Sequence, residues 1–90
     1  MKNFLKNKME SLKVLVVDDH DAFRMEVCRI LEQHGHDAHN TASAAAAVTL
    51  IESGCYDFVL LDYQMPEHDG LWLLKHARVP RQTKVLLVTA

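Results

Sequence analysis

The sequence predicts an α/β fold, a doubly wound parallel sheet with helices on both faces. Two observations predict it. Short apolar runs rich in β-branched residues alternate with helical periodicity along the chain in the order βαβαβαβ, and such alternation implies crossover connections between parallel strands. Two of those runs, at 13–17 and 57–61, are almost unbrokenly apolar, as suits strands covered on both faces, and each stops abruptly at aspartate.

The elements follow in order. Lys13-Val-Leu-Val-Val17 is the first strand, ended by Asp18-Asp19. Phe23, Val27, Ile30 and Leu31 then recur at helical spacing as one apolar stripe. Asp21 is the expected cap of that helix and Gly35 its stop, with His34 in the last turn. Residues 36–41 are short and polar, the pattern of a sheet edge. Thr41 or Ser43 can cap a second helix through Ala44–Ala47, Val48, Leu50 and Ile51, with Gly54 as its stop. Asp57-Phe-Val-Leu-Leu-Asp62 is the third strand, and the loop Tyr63 to Gly70 with Pro66 follows. A third helix runs from about Leu71 to His76, where Trp72 and Leu74 are packing residues. Val79-Pro80-Arg81-Gln82 breaks it, and residues 84–89 form a last apolar strand.

Composition narrows the class. The chain has 90 residues, 49% of them hydrophobic and 24% charged, which allows a single small core. A net charge of −2 without a basic run speaks against a nucleic-acid surface. No apolar run approaches the roughly 20 residues of a membrane helix, and the lysine-bearing segment 1–12 is not a signal peptide. Phe4, Leu5, Met9 and Leu12 of that N-terminal extension could line a short amphipathic helix. Cys28 and Cys55 fit no metal spacing or disulfide framework; they read as small core-facing thiols in a reducing cytoplasm.

The carboxylates carry the chemistry. In a parallel sheet all strand C-termini share one edge, where open α/β folds bind ligands. Asp18, Asp19 and Asp62 meet there if their two strands are neighbours. Singly, each reads as a helix cap or a turn residue. Three at two matched strand ends, with no lysine or arginine beside them, repel one another and call for a cation. An oxygen-only set of this kind suits Mg²⁺. His20 and His68 flank the pocket in sequence. His34, His36 and His39 form a second conceivable metal cluster, though solvent-facing side chains are the plainer account.

Val-Leu-Val-Val-Asp-Asp at 14–19, Leu-Leu-Asp-Tyr-Gln-Met-Pro at 60–66, Asp-Gly at 69–70 and Val-Leu-Leu-Val-Thr-Ala at 85–90 together resemble the receiver domains of two-component response regulators, from Val14 to Ala90. The resemblance implies a flavodoxin-like sheet of strand order 2-1-3-4, with residues 1–12 as an extension and 13–90 as a partial receiver domain. It implies a phospho-acceptor, not an enzyme. Asp62 would take the phosphoryl group. Asp18, Asp19, Asp62 and the backbone carbonyl of Gln64 would hold Mg²⁺. The Thr89 hydroxyl would sense the phosphoryl group, and Gly70 would permit the turn into the third helix. The implied partner is a sensor histidine kinase or a histidine phosphotransfer protein.

The match departs from the family at its end. These residues lack the family's fourth helix, fifth strand and fifth helix, and with them the lysine that pairs with the phosphoryl group. Lys84 begins a strand at the opposite edge and cannot replace it. Phosphorylation of these residues alone is therefore expected to be impaired. The apolar strand 84–89 is expected to drive self-association, so the alternative function is a non-phosphorylated interaction module. Asp19-His20-Asp21 also faintly resembles the aspartate-nucleophile phosphatases, a reading that leaves Asp62 unexplained in a chain too short for such an enzyme.

Overall fold

The computed structural model describes residues 11–88. Four strands, β1 (Lys13–Val17), β2 (Asp37–Thr41), β3 (Phe58–Asp62) and β4 (Lys84–Val88), alternate with three helices, α1 (Asp21–Gln33), α2 (Ala44–Gly54) and α3 (Gly70–His76). The strands form one sheet in the order β2-β1-β3-β4, and every pairing is parallel. The expected architecture and strand order are therefore observed. The helix expected within residues 1–12, and the expected site residue Thr89, lie outside the described residues.

The sheet divides the apolar residues by parity, because successive strand side chains point to opposite faces. Leu15, Val17, Val59 and Leu61 turn toward α2 and α3, where Ala44, Ala47, Ile51, Tyr56 and Leu73 complete the larger core. Val14 and Val16 turn the other way, toward Cys28 of α1 and the flanking Leu12, Val27, Leu31, Phe58 and Leu60. This two-sided burial is why β1 tolerates no polar residue between Val14 and Val17. β2 is half exposed because it pairs only with β1 among the described residues.

Several local expectations change. Asp21 does not cap α1; the N-cap is His20, whose side chain makes no capping bond, and Asp21 instead pairs with Arg24 at 2.8 Å. The acceptor for the turn is Asp18, whose Oδ1 takes the His20 N–H at 2.9 Å. The apolar stripe of α1 is only half used: Val27 and Leu31 pack, whereas Phe23 and Ile30 are exposed. His34 is the C-cap, one residue past the helix, and Gly35 follows at φ +87°, where glycine is unstrained. Ser43, not Thr41, caps α2 by accepting the Ala46 N–H. α3 begins at Gly70, one residue early, because Asp69 accepts the Trp72 N–H at 2.9 Å.

The corner after α2 carries the tightest packing. Cys55 is its left-handed C-cap at φ +55° and is exposed, so only Cys28 of the two thiols faces the core. Tyr56 is fully buried behind it, and a Cβ on Gly54 would lie 2.3 Å from the Tyr56 ring. The Tyr56 hydroxyl meets His39 Nδ1 at 2.9 Å, and its carbonyl accepts the buried Thr83 hydroxyl at 2.6 Å.

Candidate functional site

The pairing of β1 with β3 decides the site. Val17 lies opposite Leu61, so Asp18 and Asp62 leave the same sheet edge side by side. Asp19 and His20 continue the turn into α1. One oxygen each of Asp18, Asp19 and Asp62 and one nitrogen of His20 all lie within 4.8 Å of one another. The expected convergence of the three carboxylates is thus observed, with an imidazole added.

The carboxylates are sheltered, which gives the pocket its electrostatic character. The side chains of Asp18 and Asp62 are only 9% and 11% exposed. Burial raises the Asp62 carboxyl above its ordinary value, and the Asp18 and Asp19 charges raise it further. The Gln64 N–H, 3.1 Å from Asp62 Oδ1, and His20 work in the other direction. Asp19 Oδ1 is shut off from solvent and has no hydrogen-bond partner among the described residues, an acceptor left open within the carboxylate group. These donors fit a hard divalent cation such as Mg²⁺, which binds through carboxylates and carbonyls.

Among the described residues His20 is the nearest counter-charge. Its Nδ1 is 3.1 Å from Asp18 Oδ1, 3.4 Å from Asp19 Oδ1 and 4.0 Å from Asp62 Oδ2. The hydrogen bond to Asp18 and the charges of Asp19 and Asp18 raise its pKa above the ordinary imidazole value. Arg24 is the residue that sequence reasoning missed. It sits one helical turn beyond His20, and its guanidinium reaches the Asp18 carbonyl at 2.9 Å, Asn40 Oδ1 at 2.8 Å and Asp21. It therefore braces the loop backbone and ties β2 to the site. The available signal was its i+4 position from His20, where α1's first turn returns to the strand ends.

A cavity of about 520 Å³ opens over the pocket, lined by Asp18, His20, Ala22, Phe23, Asp62, Gln64 and Val88. Gln64 thus lines the same cavity as Asp18 and Asp62. Gly70 approaches closely as well: a Cβ there would lie 3.0 Å from the Asp62 carbonyl oxygen. Lys84 pairs with Phe58 at the far end of the strands, away from Asp62. His68 does not join the site. It stacks on Trp72, with ring centroids 3.8 Å apart, and His76 stacks on the same indole at 4.3 Å. His34, His36 and His39 do not converge on a metal: their Nδ1 atoms meet the Ile30 carbonyl, the Leu12 N–H and the Tyr56 hydroxyl respectively.

Fold and pocket together define a class, a doubly wound domain presenting sheltered carboxylates at the C-terminal edge of a parallel sheet. Comparison with known proteins names it. The family profile described as "Response regulator receiver domain" matches residues 14–90. The sensory/regulatory protein RpfC of Xanthomonas campestris pv. campestris is 35% identical over 88 residues, 92% of this chain but 12% of that protein. The transcriptional regulatory protein SrrA of Staphylococcus aureus is 31% identical, over 89% of this chain and 33% of that protein. Among solved structures, a CheY-like receiver domain from Methanospirillum hungatei JF-1 superposes with a TM-score of 0.80 at 30% identity, covering 89% of this chain and 65% of that one. The receiver domain of the hybrid histidine kinase CckA gives 0.70 at 29% identity, covering 83% of each chain.

The chain belongs to the response-regulator receiver domain family of two-component signalling. It spans about an eighth to a third of the curated relatives named here. Among the described residues no helix is long and apolar enough to cross a membrane.

Proposed function

We propose that the domain accepts a phosphoryl group on Asp62 in a Mg²⁺-dependent reaction, with a sensor histidine kinase or histidine phosphotransfer protein as the donor. The observation that carries this is the convergence of three carboxylates and one imidazole within 4.8 Å at the sheet edge. Isolated charges of one sign are not gathered and sheltered without a counter-ion, because the repulsion and desolvation both oppose folding.

Asp18, Asp19, Asp62 and the Gln64 carbonyl would hold the ion. When bound, Mg²⁺ supplies the charge that lets an anionic phosphoryl group approach carboxylates. The chain's own residues do the rest. The Gln64 N–H holds Asp62 Oδ1 and so fixes the carboxylate plane, leaving Oδ2 on the side of His20. Oδ2 attacks phosphorus, the O–P bond forms as the donor's N–P bond breaks, and the donor imidazole departs with the electron pair. Thr89, one residue beyond β4, would hydrogen-bond the transferred group. The added charge, about −1.5 to −2, would then be read out by surfaces around the pocket.

Beryllofluoride binding in the presence of Mg²⁺ tests this reading. Wild type should bind the phosphoryl mimic and Asp62→Asn should not. Equal binding by both, or binding by neither, overturns it.

A second reading rests on β4. Leu86, 54% exposed, and its neighbours Leu87 and Val88 form an apolar edge strand bonded only to β3 among the described residues. Such an edge pairs readily with another chain. An interaction module working this way should sediment as an oligomer that Leu86→Lys dissolves, whereas a clean monomer at high concentration refutes it.

A further inference from the structure

The pocket contains one donor that an all-oxygen Mg²⁺ site does not need. His20 has an exposed side chain, 74% accessible, so packing does not force its ring into any one direction. The ring nevertheless turns inward, with Nδ1 within 4.0 Å of one oxygen from each of the three aspartates. His20 also has its backbone held: as the N-cap of α1 its N–H is bonded to Asp18 Oδ1. The imidazole is therefore tethered at the rim by a short, fixed stretch of chain. Beside it lies Asp19 Oδ1, buried and without a hydrogen-bond partner among the described residues, 3.4 Å from the imidazole.

We propose that His20 is a direct ligand of the pocket's divalent cation, so that the site holds one nitrogen among its oxygens and favours ions that accept imidazole. The proposal rests on the reading of this pocket as a cation site and deepens it. Its physical basis is ligand preference. Mg²⁺ favours oxygen, keeps several waters and gains little from a nitrogen donor. Imidazole instead suits the later first-row metals, whose affinity for such sites rises from Mn²⁺ to Fe²⁺ and Co²⁺. The bland alternative is that His20 only neutralises the carboxylates until a metal expels it. The two accounts diverge in sign: removing a ligand weakens metal binding, whereas removing a competing counter-ion strengthens it.

The test uses the full chain at pH 8. Calorimetric titrations with CoCl₂ and MgCl₂ compare wild type, His20→Ala and His20→Asn, with Asp19→Asn locating the heat at this pocket. The Co²⁺ affinity should fall at least tenfold in both His20 variants, since loss of even an outer-shell partner typically costs 10–100-fold. The Mg²⁺ affinity should change by less than about twofold, because oxygen donors carry it. Electron spin-echo modulation of bound Mn²⁺ should show a directly coordinated ¹⁴N in wild type and none in His20→Ala. Unchanged or tighter Co²⁺ binding in the His20 variants, or no ¹⁴N coupling in wild type, overturns the His20 assignment while leaving the cation pocket standing. Failure of wild type to bind any of these ions overturns the pocket itself and this proposal with it.

Discussion

Replacing Asp62 by asparagine should stabilise the metal-free domain, and the size of the effect follows from the pocket. The asparagine amide keeps an Oδ1 acceptor for the Gln64 N–H, so the local hydrogen bond survives. What disappears is repulsion with Asp18 and Asp19, whose oxygens lie within 4.8 Å, together with an attraction to His20 at 4.0 Å. At that separation a like-charged pair costs about 1 kcal/mol in a water-like dielectric and about 3.5 kcal/mol at an effective constant of 20. Two repulsive pairs vanish and the His20 attraction of about 1 kcal/mol goes with them, so about 1 kcal/mol is the low end and about 7 kcal/mol an upper bound before relaxation and salt screening. Each kcal/mol moves the melting temperature of a domain this size by about 4–8 °C. Thermal denaturation followed by circular dichroism, in chelator at pH 8, should show Asp62→Asn melting at least about 4 °C above wild type.

The pH dependence has a definite sign. The folded Asp62 carboxyl binds its proton more tightly than the unfolded chain's, whose value is near 3.8. The native state is thus relieved of this charge below 3.8 and destabilised as pH rises through the folded value. The gap between variant and wild type should therefore close toward pH 3.8 and open above it. Saturating Mg²⁺ should narrow it at pH 8, since an ion at 100 times its dissociation constant adds about 2.7 kcal/mol to the form that binds it. An unchanged or lower melting temperature for Asp62→Asn at pH 8 refutes the argument that the three carboxylates repel one another here beyond what His20 offsets.

Three further outcomes follow from the packing. Gly54→Ala drives a methyl into the buried Tyr56 ring and should cost about 1–3 kcal/mol in urea denaturation; a neutral result means the Tyr56 corner can relax. Burial raises the Tyr56 phenol above its ordinary 10.0, so its contribution is complete below that value and lost as pH climbs through the folded one. Wild type should lose stability above pH 10 and Tyr56→Phe should not, while at neutral pH that variant forfeits about 1 kcal/mol with its bond to His39. Asp69→Ala removes the cap of α3 and should cost about 0.5–2 kcal/mol, with a changed emission from Trp72, the sole tryptophan, which sits in the first turn of that helix.

Periodicity and position along a strand made much of the fold legible in the residues themselves. Val14 to Val17 and Phe58 to Leu61 carry no polar interruption, so they had to be central strands buried on both faces. Two parallel central strands ending in aspartate put Asp18 and Asp62 on one sheet edge, and the pairing of β1 with β3 then sets them side by side. The helices were legible for the same reason, although their exact caps were not: Asp21 and His20 are one residue apart, and only the turn geometry decides which ends the loop.

Whatever depends on side-chain direction had to wait for the folded chain. Nothing in the spacing says that an exposed His20 turns inward, that Arg24 reaches back across to β2, or that His68 leaves the pocket to stack on Trp72. The burial of Tyr56 against Gly54 likewise depends on Cys55 taking a left-handed turn, a conformation set by the packing around it. Hydrophobic period reports which face of an element is covered, whereas the aim of a polar side chain is set by the charges and backbone groups that folding places opposite it.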